Sequence, residues 1–176
     1  MYHERKQSVL HDYMKYRTSL YSTLMPGNVE NALVSEANWI VRGRCMCGDE
    51  LGIRVSPGDI CYMDFGQAYL NEMGFQHFGL VISIWQKKAL VIPMTSNEKT
   101  YERAWDRKDN PHGKQNLMRI GLVPGLTKPS VLFLNDMRFV NTARVIDVKA
   151  HLDTDSELFQ AVEQRIYAHL FRKAMS

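Results

Sequence analysis

Chemistry-bearing residues are sparse in this chain. Cys45 and Cys47 form a C-x-C and Cys61 stands alone. A metal centre needs a third and fourth ligand at tight spacing. No further His or Cys pair supplies them, so the thiols are expected to be reduced and structurally incidental, with no metal and no cofactor. Thr95-Ser96-Asn97 closes an apolar run; it offers hydroxyl donors, and it is equally ordinary turn chemistry. Tyr101 and Trp105 stand among Arg103, Arg107 and Lys108. That interleaving suits a surface that stacks bases while holding phosphates; a solvated loop with two half-buried aromatics accounts for it as well. His112 lies in a Pro-His-Gly turn and reads as a surface residue, and His77 beside an apolar strand reads, taken alone, as structural. Arg138 has ready ion-pair partners in Asp136, Asp147 or a carboxylate of the last helix.

The charge balance places these groups in context. The 176 residues carry 22 basic and 19 acidic side chains, a formal net charge of +3, too weak as a total to name a partner. Its distribution is uneven: residues 83–149 hold twelve basic against six acidic groups, whereas residues 1–53 hold six of each. A concentrated basic region neutralises phosphates and makes binding salt-sensitive. At 45% hydrophobic and 23% charged, the chain is neither a disordered tail nor a collagen-like or disulfide-scaffold protein. No stretch approaches the ~20 apolar residues of a membrane span. The start, Met1-Tyr-His-Glu-Arg-Lys, leads into no apolar signal core. The expected setting is the cytoplasm, without a membrane partner.

Three kinds of texture must position these residues. From 4 to about 48 the spacing of Val9/Leu10, Tyr13/Met14, Leu20/Tyr21 and Leu24, then of Val29, Leu33 and Ile40, predicts two helices. Pro26-Gly27-Asn28 breaks them, with Asn28 placed to cap the second. This hairpin must dock its face on something. From Ser56 onward short strands are predicted at 60–65, 79–85, 89–95, 117–122, 130–134, 139–140 and 144–148. Gln86-Lys87-Lys88 turns one hairpin, and Pro93 suggests a strand edge or end. Such spacing argues for a small barrel or strongly bent sheet. Thr154-Asp-Ser-Glu157 fits a capping box ahead of a helix whose stripe is Leu158, Val162, Ile166 and Leu170.

Four segments, in order, carry a resemblance. Val55-Ser-Pro-Gly-Asp-Ile-Cys-Tyr-Met-Asp-Phe65 resembles the opening strand of MazF/PemK-type toxins. Asn71-Glu-Met-Gly-Phe-Gln-His-Phe-Gly-Leu-Val-Ile-Ser83 is similar to that family's loop and second strand. Val91-Ile-Pro-Met-Thr-Ser96 is similar to its third strand, and Ser130-Val-Leu-Phe-Leu-Asn-Asp-Met-Arg138 to a later one. The resemblance covers roughly residues 55–172. It implies an α+β fold with a mainly β core, a small SH3-like (MazF/PemK/CcdB-type) barrel with a C-terminal helix. Here an N-terminal helical hairpin (1–50) precedes the barrel domain (51–176), which carries an insertion at 97–129.

The resemblance further implies a homodimeric toxin of a toxin–antitoxin system. It would cleave single-stranded RNA without metal by general acid–base chemistry, and an antitoxin protein would inhibit it. The family's catalytic arginine falls on His77 and its catalytic threonine on Thr95. The expected RNA-binding residues are Asn71, Glu72 and Gln76 around the loop, Ser96, Asn97 and Lys99 past the third strand, and Asn135 and Arg138 on the later strand. His77 in place of arginine removes a permanently charged, bidentate phosphate ligand, and Phe78 replaces the proline that usually follows. That departure sustains an alternative, a catalytically inactive RNA-binding or protein-interaction module on the same fold. A further possibility is that the hairpin masks the groove in cis.

Overall fold

The computed structural model describes residues 2–171, and their side chains from residue 6 onward. Two helices come first, α1 (Tyr2–Thr23) and α2 (Pro26–Arg42). Asn28 is not the cap of α2. Met25 occupies that position with no side-chain bond, and Pro26 opens the helix, where its missing N–H would have had no partner anyway. A 3-10 turn at Gly48–Leu51 leads into β1 (Asp59–Asp64), β2 (Gln76–Trp85) and β3 (Lys88–Thr95). Then come α3 (Glu98–Arg103), β4 (Ala104–Trp105), β5 (Lys114–Gly121), β6 (Ser130–Phe133), β7 (Arg138–Asn141), β8 (Val145–His151) and α4 (Glu157–Leu170).

The strands form one sheet in the order β4-β5-β6-β3-β2-β1-β8, with β7 also paired to β3. The fold is α+β with a mainly β core. Pro93 stands among the last residues of β3, as one of the two expectations has it, and β3 lies inside this sheet rather than at an edge. β3 pairs β7 through Lys88–Val91 and β6 through Met94–Thr95. Pro93 falls where the strand changes partner, so no ladder bond on that side needs its N–H.

Both faces of the central strands are buried, which is why β2 and β3 read as continuous apolar runs. Ile60, Leu80, Ile92 and Leu132 pack on one face with Phe159, Val162 and Ile166 of α4. Cys61, Met63, Val81 and Val91 fill the other face with Val140 and Val145. Each fully buried aliphatic side chain contributes roughly 1.5–3 kcal/mol. Gly79 is required between β1 and β3, because a Cβ there would collide with a Val91 methyl. The β2–β3 turn places Gln86 and Lys87 at φ 45° and 69°, a left-handed pair suited to the strand twist but strained for non-glycine residues.

The capping residue of α4 is Ser156, whose Oγ accepts from Phe159 N at 3.2 Å. Thr154 lies too early to serve. Within 97–129, β4 and β5 are built into the sheet beside α3, and β5 sends Leu117, Met118 and Ile120 inward.

The hairpin attaches at one side of the barrel. Ser35 Oγ donates to Asp64 Oδ1 at 2.9 Å, and Arg42 Nη1 donates to Val145 O at 2.7 Å. Asn141 Nδ2 reaches Cys45 O at 3.3 Å, and Gly48 N reaches Thr142 Oγ1 at 2.9 Å. An Arg17–Glu36 ion pair joins α1 to α2.

Candidate functional site

His77 and Thr95 end adjoining strands. The β2–β3 register finishes at Phe78↔Met94; His77 is one residue earlier on β2 and Thr95 one residue later on β3. His77 pairs with Met63 across β1, which puts its side chain at the rim of the face that carries Cys61, Met63 and Val81. Burial lowers its pKa below the ordinary histidine value, favouring the neutral imidazole at pH 7. Thr95 Oγ1 accepts from Asn97 N at 3.2 Å. Its lone pair serves the turn while its proton stays available to a ligand.

Arg138 is also on this face, paired with Val91. Its guanidinium is committed: Nη2 donates to Asp136 Oδ1 at 2.6 Å and to Met73 O at 2.9 Å, and the group sits 5.5 Å from the Phe65 ring centroid. Asp136 in turn accepts from Met73 N. Arg138 therefore ties the β1–β2 loop to the strand beyond β6. The loop is closed at its neck by Phe65 N to Phe75 O at 2.7 Å and Phe75 N to Gly66 O at 2.6 Å. At its tip Asn71 adopts φ 69° and Glu72 Oε2 accepts from Tyr69 N at 3.3 Å.

The remaining expected residues spread around this rim. Gln76 opens β2 opposite Asp64, and its Nε2 is buried without an acceptor among the described residues. Ser96 is exposed beside Thr95. Asn97 caps α3, its Oδ1 accepting from Thr100 N at 3.0 Å, and Lys99 is exposed on that helix. Asn135 is exposed and accepts from Asn116 Nδ2 at 2.9 Å.

The Tyr101/Trp105 cluster is a different matter. The Arg119 guanidinium stacks 4.7 Å from the Tyr101 ring and that of Arg165 lies 4.0 Å from Trp105. These are internal contacts of α3, β4, β5 and α4, and both rings pack against the core. Cys61 is equally withdrawn: burial, with the Asp59 and Asp147 carboxylates, pushes its thiol up to about 12.

Sequence reasoning missed a cleft of about 210 Å³ that joins Thr95 and Ser96 to Phe78, Leu126, Lys128 and Lys149. Lys149 pairs with Asp147. The only signal available for Lys128 was the basic excess of its region, because the cleft joins residues far apart in sequence.

A mainly β sheet wrapped on a C-terminal helix, with an imidazole and a hydroxyl at one rim, defines a small barrel protein with a polar site capable of acid–base chemistry. Residues 56–170 match the family model of PemK-like, MazF-like toxins of type II toxin–antitoxin systems. The chain belongs to that family. No curated protein matches the sequence. Among solved structures it is similar to MazF (form I) from Deinococcus radiodurans, at 16% identity and a TM-score of 0.49, over 67% of this chain and 97% of that one. It is also similar to toxin MazF-mt6 of Mycobacterium tuberculosis, at 13% identity and a TM-score of 0.44, over 64% and 95%. A third is an endoribonuclease in complex with its cognate antitoxin from Mycobacterial species, at 10% identity and a TM-score of 0.45, over 66% and 95%. No described helix is long and apolar enough to cross a membrane.

Proposed function

We propose that the chain is an endoribonuclease toxin that cleaves single-stranded RNA by metal-independent acid–base chemistry at the His77–Thr95 rim. Residues 51–176 would form the catalytic barrel and residues 1–50 an appended hairpin. It would act as a homodimer in the cytoplasm under the control of an antitoxin protein. One observation carries the reading: an imidazole kept neutral by burial and a hydroxyl with a free proton end two adjoining strands.

In this mechanism neutral His77 takes the 2′-OH proton, and the 2′-oxygen attacks the phosphorus. Thr95 and Ser96 donate to the non-bridging oxygens as charge develops there. Lys128 supplies positive charge from the adjoining cleft. The 5′-oxygen leaves with a proton from water, and a 2′,3′-cyclic phosphate remains. Arg138 acts as a positioning residue that holds the loop bearing Asn71 and Glu72. Gln76, Asn97, Lys99 and Asn135 are assigned to contacts along the strand.

The alternative, a binding module without cleavage, is favoured by the commitment of Arg138 to Asp136 and Met73. With His77 at the family's arginine position, no free guanidinium is then assigned to the phosphate. Incubating the full chain with single-stranded RNA in EDTA separates the two. The nuclease reading expects cleavage, and a loss of about 10²–10⁴ in rate for His77→Ala. Cleavage untouched by that substitution removes His77 from the mechanism, and RNA binding without cleavage establishes the module. Masking in cis receives no support from the contacts that attach the hairpin. They fall on Asp64 and residues 141–145, and none is made to His77, Thr95 or Ser96 among the described residues.

A further inference from the structure

Between the hairpin and the barrel lies a second, larger cavity of about 670 Å³. One face of each helix lines it. Tyr13, Tyr16 and Leu20 follow at helical steps on α1, and Asn38, Trp39 and Arg42 on α2. Tyr13, Leu20 and Tyr21 of the apolar stripe legible in α1 therefore border open space rather than a packed core. Tyr13, Tyr16 and Trp39 are all more than half exposed.

The floor is polar and built. Asp64 is 4% exposed, and its Oδ1 is held by Ser35 Oγ and by Gly66 N, each at 2.9 Å. Its Oδ2 has no protein donor among the described residues. Asn38 Nδ2 is buried and lacks an acceptor. Arg42 and Arg144 both line the cavity. They donate to the carbonyls of Val145 and Asp64, and neither has a carboxylate partner among the described residues. The lining thus holds three guanidinium groups against two carboxylates, Glu36 being paired with Arg17 and Asp64 lying in the floor, beside aromatic faces and an unmatched donor and acceptor.

We propose that this cleft seats a nucleotide of the single-stranded RNA, outside the step cleaved at His77 and Thr95; the inference rests on the ribonuclease reading. The base would stack on Trp39 or Tyr16, a contact that tolerates any base. Its edge, which carries both donors and acceptors, meets Asp64 and Asn38. Its phosphate meets Arg42 and Arg144, whose planar forks fit a phosphate's oxygens. Continuity with the candidate site supports this occupant. Gly66 and Gln67 line the cavity, and the same loop is tied by Arg138 to the strands at the rim. The hairpin as a whole is neutral, so the attraction is local to these arginines.

The test measures binding of 2′-O-methyl RNA, which cannot be cleaved, to the full chain. A trinucleotide and an oligomer of about twelve nucleotides are compared by fluorescence anisotropy. In Tyr16→Ala/Trp39→Ala, Kd for the longer RNA is expected to rise about tenfold to a hundredfold. Kd for the trinucleotide should hold, and Trp39→Phe should restore most of the loss. An unchanged Kd for the longer RNA overturns the inference, and so does an equal loss for both RNAs. Retained RNA affinity with lost binding of an antitoxin protein assigns the cleft to protein and likewise overturns it. If the unmodified chain binds neither RNA, the ribonuclease reading fails first. Cleavage that ignores the hairpin variant defeats this inference alone.

Discussion

In the barrel, Ile60, Leu80, Ile92 and Val162 are fully buried, whereas in the hairpin Tyr16, Trp39 and Val41 leave 71%, 70% and 69% of their surfaces in solvent. The two regions use apolar residues for different ends. Barrel side chains interdigitate on both faces of the sheet and against α4, so they hold the fold together. Hairpin side chains bond to the barrel through few groups, among them Ser35 and Arg42, and Tyr13, Tyr16 and Trp39 line a cavity. Exposed clusters of this kind mark binding surfaces. Helical periodicity thus reports a one-sided helix without saying whether protein packs on that side.

The sharpest way to break this contrast is a pair of truncations. Phe159→Ala is expected to destabilise the chain by about 3–5 kcal/mol, because it opens a cavity beneath α4. Trp39→Ala, at an exposed position, should stay within about 0.5 kcal/mol in chemical denaturation. Equal losses would show that the hairpin is part of the core.

At the junction, Ser35→Ala removes one hydrogen bond from the buried Asp64 carboxylate. About 1 kcal/mol of stability should go with it, and amide exchange in α2 should speed up relative to β2. A matching acceleration in β2 would mean that the hairpin and barrel open as one unit.

On the barrel side, Lys87→Gly should stabilise by about 0.5–1 kcal/mol, since φ 69° suits glycine. A fall in melting temperature would refute that account of the turn.

The smallest effect is on pH. Burial holds the pKa of His77 below that of the unfolded chain. Between those two values the unfolded state binds more proton, so stability declines as pH falls from about 6.5. His77→Gln should flatten the decline in that window. Cleavage should persist below pH 6.5 and fail only when the imidazole protonates. A rate that already falls at pH 7 would exclude a neutral His77 as the base.

Much of the barrel was legible from local signals. The apolar runs at 79–85 and 89–95, with a turn between them, are consecutive in the chain and fold as a hairpin. The α4 stripe was equally direct, although the cap moved from Thr154 to Ser156, because neighbouring hydroxyls satisfy the same pattern. Asn28 lost its capping role because Pro26 opens the helix two residues earlier, which leaves Met25 at the cap. The candidate site rests on two kinds of signal. His77 and Thr95 could be named from a family pattern, but the engagement of Arg138 by Met73 and Asp136 depends on a loop folding back across 65 positions.

Sequence alone determined the sheet-forming runs, the helix periods, the concentration of basic charge in 83–149 and the family resemblance. Those properties follow from spacing along the chain. Only the tertiary structure decided that Pro93 lies inside the sheet, that Tyr101 and Trp105 are occupied by Arg119 and Arg165, and that Lys128 shares a cleft with Thr95. It also decided that Tyr13, Leu20 and Tyr21 of the α1 stripe line an open cavity together with Asp64. Each of these depends on which distant segment becomes a neighbour, and partner choice is settled by the packing of the whole sheet, not by any local pattern.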